Sequence, residues 1–291
     1  MPSPPSPKPE ADASKPPPSK PQPLTKSLSL DGFLSHLHRC LETRTGADVV
    51  LLFLCYASRL GGSVLEALSR PLLRHSARRF VAAAFKLPPA ATVVLSATAP
   101  QPQPAVVALR LGRRLRALSA LISETRTVGR LWGLLGLYLA VKRRRAQKSG
   151  AGDADGGDAE GAFDAALNYA QMTSLVIFQA AENVAFLSSK AILPYRPATQ
   201  ARLALLSVRA WGLYVGMELA RLLVDRSRRP LTARQEEAAA GWRKSFWRNM
   251  AWAPLTVHWG SPAGLLPDLA VSLLAAYPAT GAMVDLWRDT A

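Results

Sequence analysis

The chain has little of what an enzyme or a secreted scaffold is built from. Of its 291 residues only two are cysteine, Cys40 and Cys55, and four are histidine. Read as one helical stretch, the cysteines lie 15 residues apart, roughly 22 Å along a helix axis and too far for a disulfide. Two buried thiols in a reducing compartment are therefore expected. His36 and Cys40 stand at i, i+4, but no second pair with zinc-like spacing accompanies them, so a packed polar pair is expected rather than a metal site. The sequence has no Gly-x-Ser-x-Gly, no phosphate loop and no dinucleotide fingerprint. No catalytic residues, no metal and no cofactor are expected. An apolar signal segment is missing from the start of the sequence, and its last four residues, Arg288 to Ala291, are not a Ser-Lys-Leu type address.

Long apolar runs are missing too. A spanning helix needs about 20 mostly apolar residues. Leu131 to Val141 supplies eleven, Ala165 to Ala181 seventeen with Asn168, Gln171 and Gln179 among them, and Leu269 to Val284 sixteen between Asp268 and Asp285. One or two short membrane-inserted segments are expected, 269–284 first and 165–189 second. Glu182, alone in an apolar stretch, reads as a loop-facing or paired structural residue, with an intramembrane ionisable group as the alternative.

What is present is positive charge on an apolar background. Lys and Arg number 36 against 20 Asp and Glu, a formal net charge of +16. That balance calls for an anionic partner, nucleic-acid phosphate or acidic lipid. Yet charged residues make up only 19% of the chain and hydrophobic ones 49%, and charged residues are usually about 25% in soluble proteins. Arginine clusters on apolar helices fit a membrane surface better than a nucleic-acid groove. The aromatic basic segment Trp242 to Arg248 suits a headgroup belt as well as base stacking, and no zinc, homeodomain or RNA-recognition signature is present. No nucleic-acid partner is expected.

Residues 1–28 are rich in Pro, Ser and Lys, with ten prolines in the first 26, and cannot bury enough surface to fold. From residue 29 to 291 the apolar spacing is helical, with no convincing period-two run, so an all-α, membrane-associated helical bundle is expected as one domain. Gly46 is expected to interrupt the first helix, Gly61-Gly62 to end the second, and a third to run from Ser63 to Phe85 with a cationic face of Arg70, Arg74, Arg78 and Arg79. The Lys142 to Arg145 cluster opens a break, and the Gly- and Asp-rich segment at 149–162 reads as a flexible acidic loop. Arg130 to Leu134 and Arg209 to Leu213 share the pattern R-x-W-G-L, which suggests two helices with similar surroundings.

The stretch AVVALRLGRRLRALSALI at 105–122 carries the functional expectation. With residues 100° apart, Val107, Leu111, Leu115, Leu118 and Ile122 fall within about 80° of one another, and Arg110, Arg113, Arg114 and Arg116 lie outside that arc. An aliphatic face flanked by arginines is the make-up of an interfacial membrane helix. The five aliphatics are expected to enter the lipid and the four arginines to meet headgroups. A helix packed on its own core would carry the same pattern.

The order of parts resembles the peroxin-11 family of peroxisomal membrane-elongation proteins, in a divergent branch like that of filamentous fungi. FLSHLHRCLETRTGADVVLLFLCYASRL at 33–60 is similar to the family's opening helices, with Tyr56 to Arg59 at its end. ALRLGRRLRALSALI at 108–122 is similar to its basic amphipathic helix. NYAQMTSLVIFQAAENVAFLSSKAIL at 168–193 resembles its central apolar segment, and Trp242 to Trp287 its C-terminal linker and final membrane segment. The likeness spans about 29–288 and departs from the family at Pro278 and at the acidic insertion. It implies a non-enzymatic protein of the peroxisomal membrane that elongates the organelle before fission and controls its number. Anionic lipid, further copies of itself as a homo-oligomer and membrane-fission machinery would be its partners. The residues alone also allow a soluble basic adaptor, a nucleic-acid binder or a membrane pore.

Overall fold

A computed structural model describes residues 30–86, 102–150, 159–228 and 236–291. The 1–28 tail lies outside these, as does most of the 149–162 loop, whose edges belong to the helices on either side. The described residues fold into eight α-helices: α1 (Leu30–Leu41), α2 (Arg44–Ala84), α3 (Gln103–Arg130), α4 (Gly133–Gly150), α5 (Ala159–Ser189), α6 (Pro197–Arg228), α7 (Glu236–Trp259) and α8 (Asp268–Asp289). No strand occurs among them, and the expected all-α class holds.

Two long antiparallel hairpins, α2/α3 and α5/α6, form the body, and α7 and α8 join them: α8 packs along α2, and α7 lies between α6 and α8. Between the hairpins sits the small core of Leu255, Val271 and Ala275, surrounded by Tyr56, Trp252, Trp259, Leu266 and Leu274. Gly61-Gly62 does not end a helix. α2 runs through both glycines and through Pro71 for 41 residues. Tertiary packing explains this. A Cβ on Gly62 would stand 2.9 Å from the carbonyl oxygen of Gly112 on α3, so the missing side chains let two backbones touch. The break expected at Gly46 falls three residues earlier. Thr43 caps α2 by accepting a hydrogen bond from Gly46 N at 3.0 Å. Cys40 and Cys55 consequently sit on different helices, each free and buried.

The α2/α3 register repeats every seven residues. Asp48 pairs with Arg126 at 2.9 Å, Cys55 Sγ lies 3.5 Å from Ser119 Oγ, and Gly62 abuts Gly112. One step further, Ser69 and Ala105 are both almost wholly buried. A seven-residue repeat keeps one seam facing its partner along both helices. Here that seam is made of small residues, so the contact is close and backbone-rich.

On α5/α6, Asp164 meets Arg228 at 3.3 Å, Gln171 donates to Glu218 at 3.0 Å and Ser174 Oγ donates to the Ala210 carbonyl at 2.6 Å. The hairpin turns through a residue in the left-handed region, Ala191 at φ 57, with Ile192 N donating back to Leu187 O at 3.0 Å. The Lys142 to Arg145 cluster does not break the chain, because α4 continues through it to Gly150.

Three helices, α2, α6 and α8, are long and apolar enough to cross a membrane. The 269–284 stretch lies in one of them. The 165–189 stretch does not, because Gln171, Gln179, Glu182 and Asn183 lower its mean hydropathy; Gln171, Gln179 and Asn183 are buried. α6 carries Arg209 and Glu218 in its apolar stretch, and both are partnered: Arg209 donates to Gly260 O at 3.0 Å and Glu218 accepts from Gln171 and Arg221.

Candidate functional site

The α2/α3 hairpin has two halves with opposite charge accounting. In the half that lies against the other helices, arginines meet acids. Asp268, at the start of α8, accepts from Arg59 at 2.7 Å, from Arg116 and from Ser63 Oγ at 3.0 Å. Arg116 also lies 2.9 Å from Glu66. At the other end of the shared seam Arg126 pairs with Asp48, and Arg130 with Glu182 at 2.6 Å. Burial opposes the charge on Arg130, but the hydrogen bond and the field of Glu182 more than offset it and hold its pKa above the ordinary value.

The outward half differs. Arg70, Arg74, Arg78, Arg79 and Lys86 of α2, and Arg110, Arg113 and Arg114 of α3 at the level of residues 60–64 of α2, are all exposed and form no ion pair among the described residues. By the seven-residue register α3 begins opposite residue 71, so α2 runs on beyond it for about 13 residues, close to 20 Å. Pro71 marks the point of departure. It has no N–H to give the preceding turn, and it sits where α2 loses its partner helix. The overhang is amphipathic: Leu73, Ala77, Phe80, Val81 and Ala84 fall within roughly 100° of arc, and Arg74, His75, Arg78 and Arg79 lie outside it. Phe80 and Val81 are exposed, as are Leu68 and Leu72 on the turns before it.

The nine residues singled out in 105–122 divide between an outer and an inner surface. Val107 (59% exposed), Leu111 (47%) and Leu118 (44%) face outward, together with Arg110, Arg113 and Arg114, which form no ion pair among the described residues. Leu115 packs on Gly61, Ile122 is 8% exposed, and Arg116 is held by Glu66 and Asp268. These last three are engaged within the fold rather than presented outward. The helix packs through Ala105, Gly112 and Ser119, roughly 100° round from the aliphatic arc. A reading that ranks faces by apolarity points past a seam of small residues.

Other sequence features land elsewhere. His36 Nε2 and Cys40 Sγ both contact Thr290 Oγ1 at 3.1 Å, and the His36 ring stacks on Trp287 at 3.8 Å, so the pair clamps α1 onto the end of α8. The two R-x-W-G-L copies do not share surroundings. Trp132 is exposed at the α3–α4 corner, whereas Trp211 lies within α6 between Trp252 (5.3 Å) and Trp259 (6.1 Å). The free end of α2 was legible as a cationic face at Arg70 to Arg79. Its overhang beyond the start of α3 was not, because that depends on the hairpin register.

The chain was compared with protein-family models, curated proteins and solved structures, and it matches none of them.

Proposed function

We propose that the chain is a non-enzymatic membrane-shaping protein that docks the free end of its α2/α3 hairpin on anionic lipid. The observation that carries this reading is the conjunction of eight exposed cations, none in an ion pair among the described residues, with exposed apolar side chains on one arm, the projecting end of α2 with the outer face of α3. Each Lys or Arg near an anionic leaflet contributes about 1 kcal/mol, and the apolar face of a helix lying in the interface sinks ~5–10 Å below the headgroups. Residues 72–84, with the outward Val107, Leu111 and Leu118 of α3 nearer the body, then add area to one leaflet and favour curvature. The α2, α6 and α8 helices, long and apolar enough to cross, hold the body in the same membrane.

The resemblance to the peroxin-11 family supplies the site of action. On this reading the protein resides in the peroxisomal membrane and elongates it before fission, as a homo-oligomer that works with membrane-fission machinery. One arm expands a leaflet only locally, so many copies act together.

The test uses full-length protein and liposomes with and without acidic lipid. Tubules should form on the acidic liposomes, and replacing Val107, Leu111 and Leu118 by Ser should abolish tubulation while leaving the helical content unchanged. In cells, a tagged protein should resist carbonate extraction and coincide with a peroxisomal marker. Extraction by carbonate would overturn the proposal in favour of a soluble basic adaptor, and tubulation that survives the triple Ser variant would overturn insertion of this face as the source of curvature.

A further inference from the structure

Between the two hairpins, away from the arm, lies a cleft of about 710 Å³. That is within the ~300–1,000 Å³ range of small-molecule sites and far larger than the voids a packed interior tolerates. Its two walls differ in kind. The α2/α3 wall presents Arg59, Arg116, Arg126 and Arg130 with the hydroxyls of Ser119, Ser123 and Thr127. The opposite wall is aromatic, with Phe178 from α5, Trp211 from α6, and Trp252 and Trp259 from α7. Four guanidinium groups line the cleft against a single acid, Glu182. The acids that pair with Arg59, Arg116 and Arg126 are not among the lining residues.

Two guanidinium donors in this wall are unused. Arg59 gives one terminal nitrogen to Asp268, but its Nε–H is buried and donates to no described atom. Arg116 Nε is also without a hydrogen bond, although Glu66 Oε1 lies 2.9 Å from it, because proximity without alignment is not a bond. A buried guanidinium N–H left unmade is costly, and an anionic oxygen is the acceptor that satisfies it best.

We infer that this cleft is a binding site for a single-chain amphiphile with an anionic carboxylate or phosphate head. The head sits against Arg59 and Arg116, and the apolar body lies along Trp211, Trp252 and Trp259. Aromatic faces bind an apolar body over a large area, and the opposing arginines fix which end of the ligand goes where. The inference does not depend on the arm, and the two fail separately.

The experiment reads tryptophan fluorescence of the purified full chain, using chain-brominated probes that quench indoles within contact distance. The probes are a 16-carbon carboxylic acid, the corresponding lysophosphatidic acid and the corresponding alcohol. At least one anionic probe should quench saturably at one molecule per chain, and the alcohol should bind at least tenfold more weakly. Which anionic probe binds tighter identifies the head. Ala120→Phe, which fills the cleft from its exposed α3 edge without touching an ion pair, should weaken the anionic probe at least tenfold and leave liposome binding unchanged. Arg59→Gln should do the same to the probe. Should Arg59→Gln unfold the protein, Ala120→Phe carries the test alone. Quenching that does not saturate, that is equal for acid and alcohol, or that survives Ala120→Phe overturns the inference.

Discussion

The two halves of the α2/α3 hairpin share helices, a seam and a register, and differ in what their arginines meet. Near the body, Arg59, Arg116, Arg126 and Arg130 each find a carboxylate on another helix. On the overhang of α2 and the outer face of α3, Arg74, Arg78, Arg79, Arg110, Arg113 and Arg114 find none among the described residues. The contrast teaches that arginine count alone does not locate an anion-binding surface. Paired arginines hold the bundle together, and those with no acid among the described residues are left to attract a membrane.

That contrast can be broken most severely on the arm. Replacing Arg110, Arg113 and Arg114 together by Gln should remove about 3 kcal/mol of attraction to acidic liposomes, close to a 100-fold loss of affinity. Thermal stability should stay within about 0.5 kcal/mol, as for surface changes generally. Co-sedimentation at graded salt, with a melting curve on the same sample, checks both halves of this expectation.

Near the body the signature should reverse. Asp268→Asn leaves Arg59 and Arg116 without their shared carboxylate. Because Asp268 is itself 39% exposed, solvent screening trims the cost from the 3–5 kcal/mol of a fully buried pair to about 1–2 kcal/mol. Liposome affinity per folded molecule should not change. A variant that melts normally but binds poorly would erase the distinction between the halves.

The seam common to both halves offers a comparable but purely steric perturbation. Gly62→Val drives a side chain against the Gly112 backbone, and overpacking of this kind costs about 1–3 kcal/mol. Gly129→Ala, where a Cβ meets nothing within 4 Å, should instead stabilise α3 by up to about 1 kcal/mol. The opposite signs of two helical glycines, read by melting temperature, test whether close approach is what Gly62 is for.

The helical class and the cationic face of 70–79 were legible in the sequence. Both depend on local periodicity. The continuity of α2 was not legible. Gly61-Gly62 is a stop signal by propensity, and only the presence of Gly112 opposite makes it a contact. Val107, Leu111, Leu115, Leu118 and Ile122 share one arc by periodicity, and Val107, Leu111 and Leu118 are its exposed members. The division of that arc required knowing that α3 packs through Ala105, Gly112 and Ser119.

By itself, then, the sequence determined that this protein is helical, basic and apolar, because periodicity, net charge and composition are properties of the chain alone. The tertiary structure decided which arginines are neutralised and which are free. It also decided which face of α3 is inside, and that two hairpins leave a cleft walled by arginine and tryptophan. The physical reason is that a charge's partner and a small residue's neighbour come from helices distant in sequence. Asp268 lies 152 residues from Arg116, and no local pattern encodes a meeting at that range.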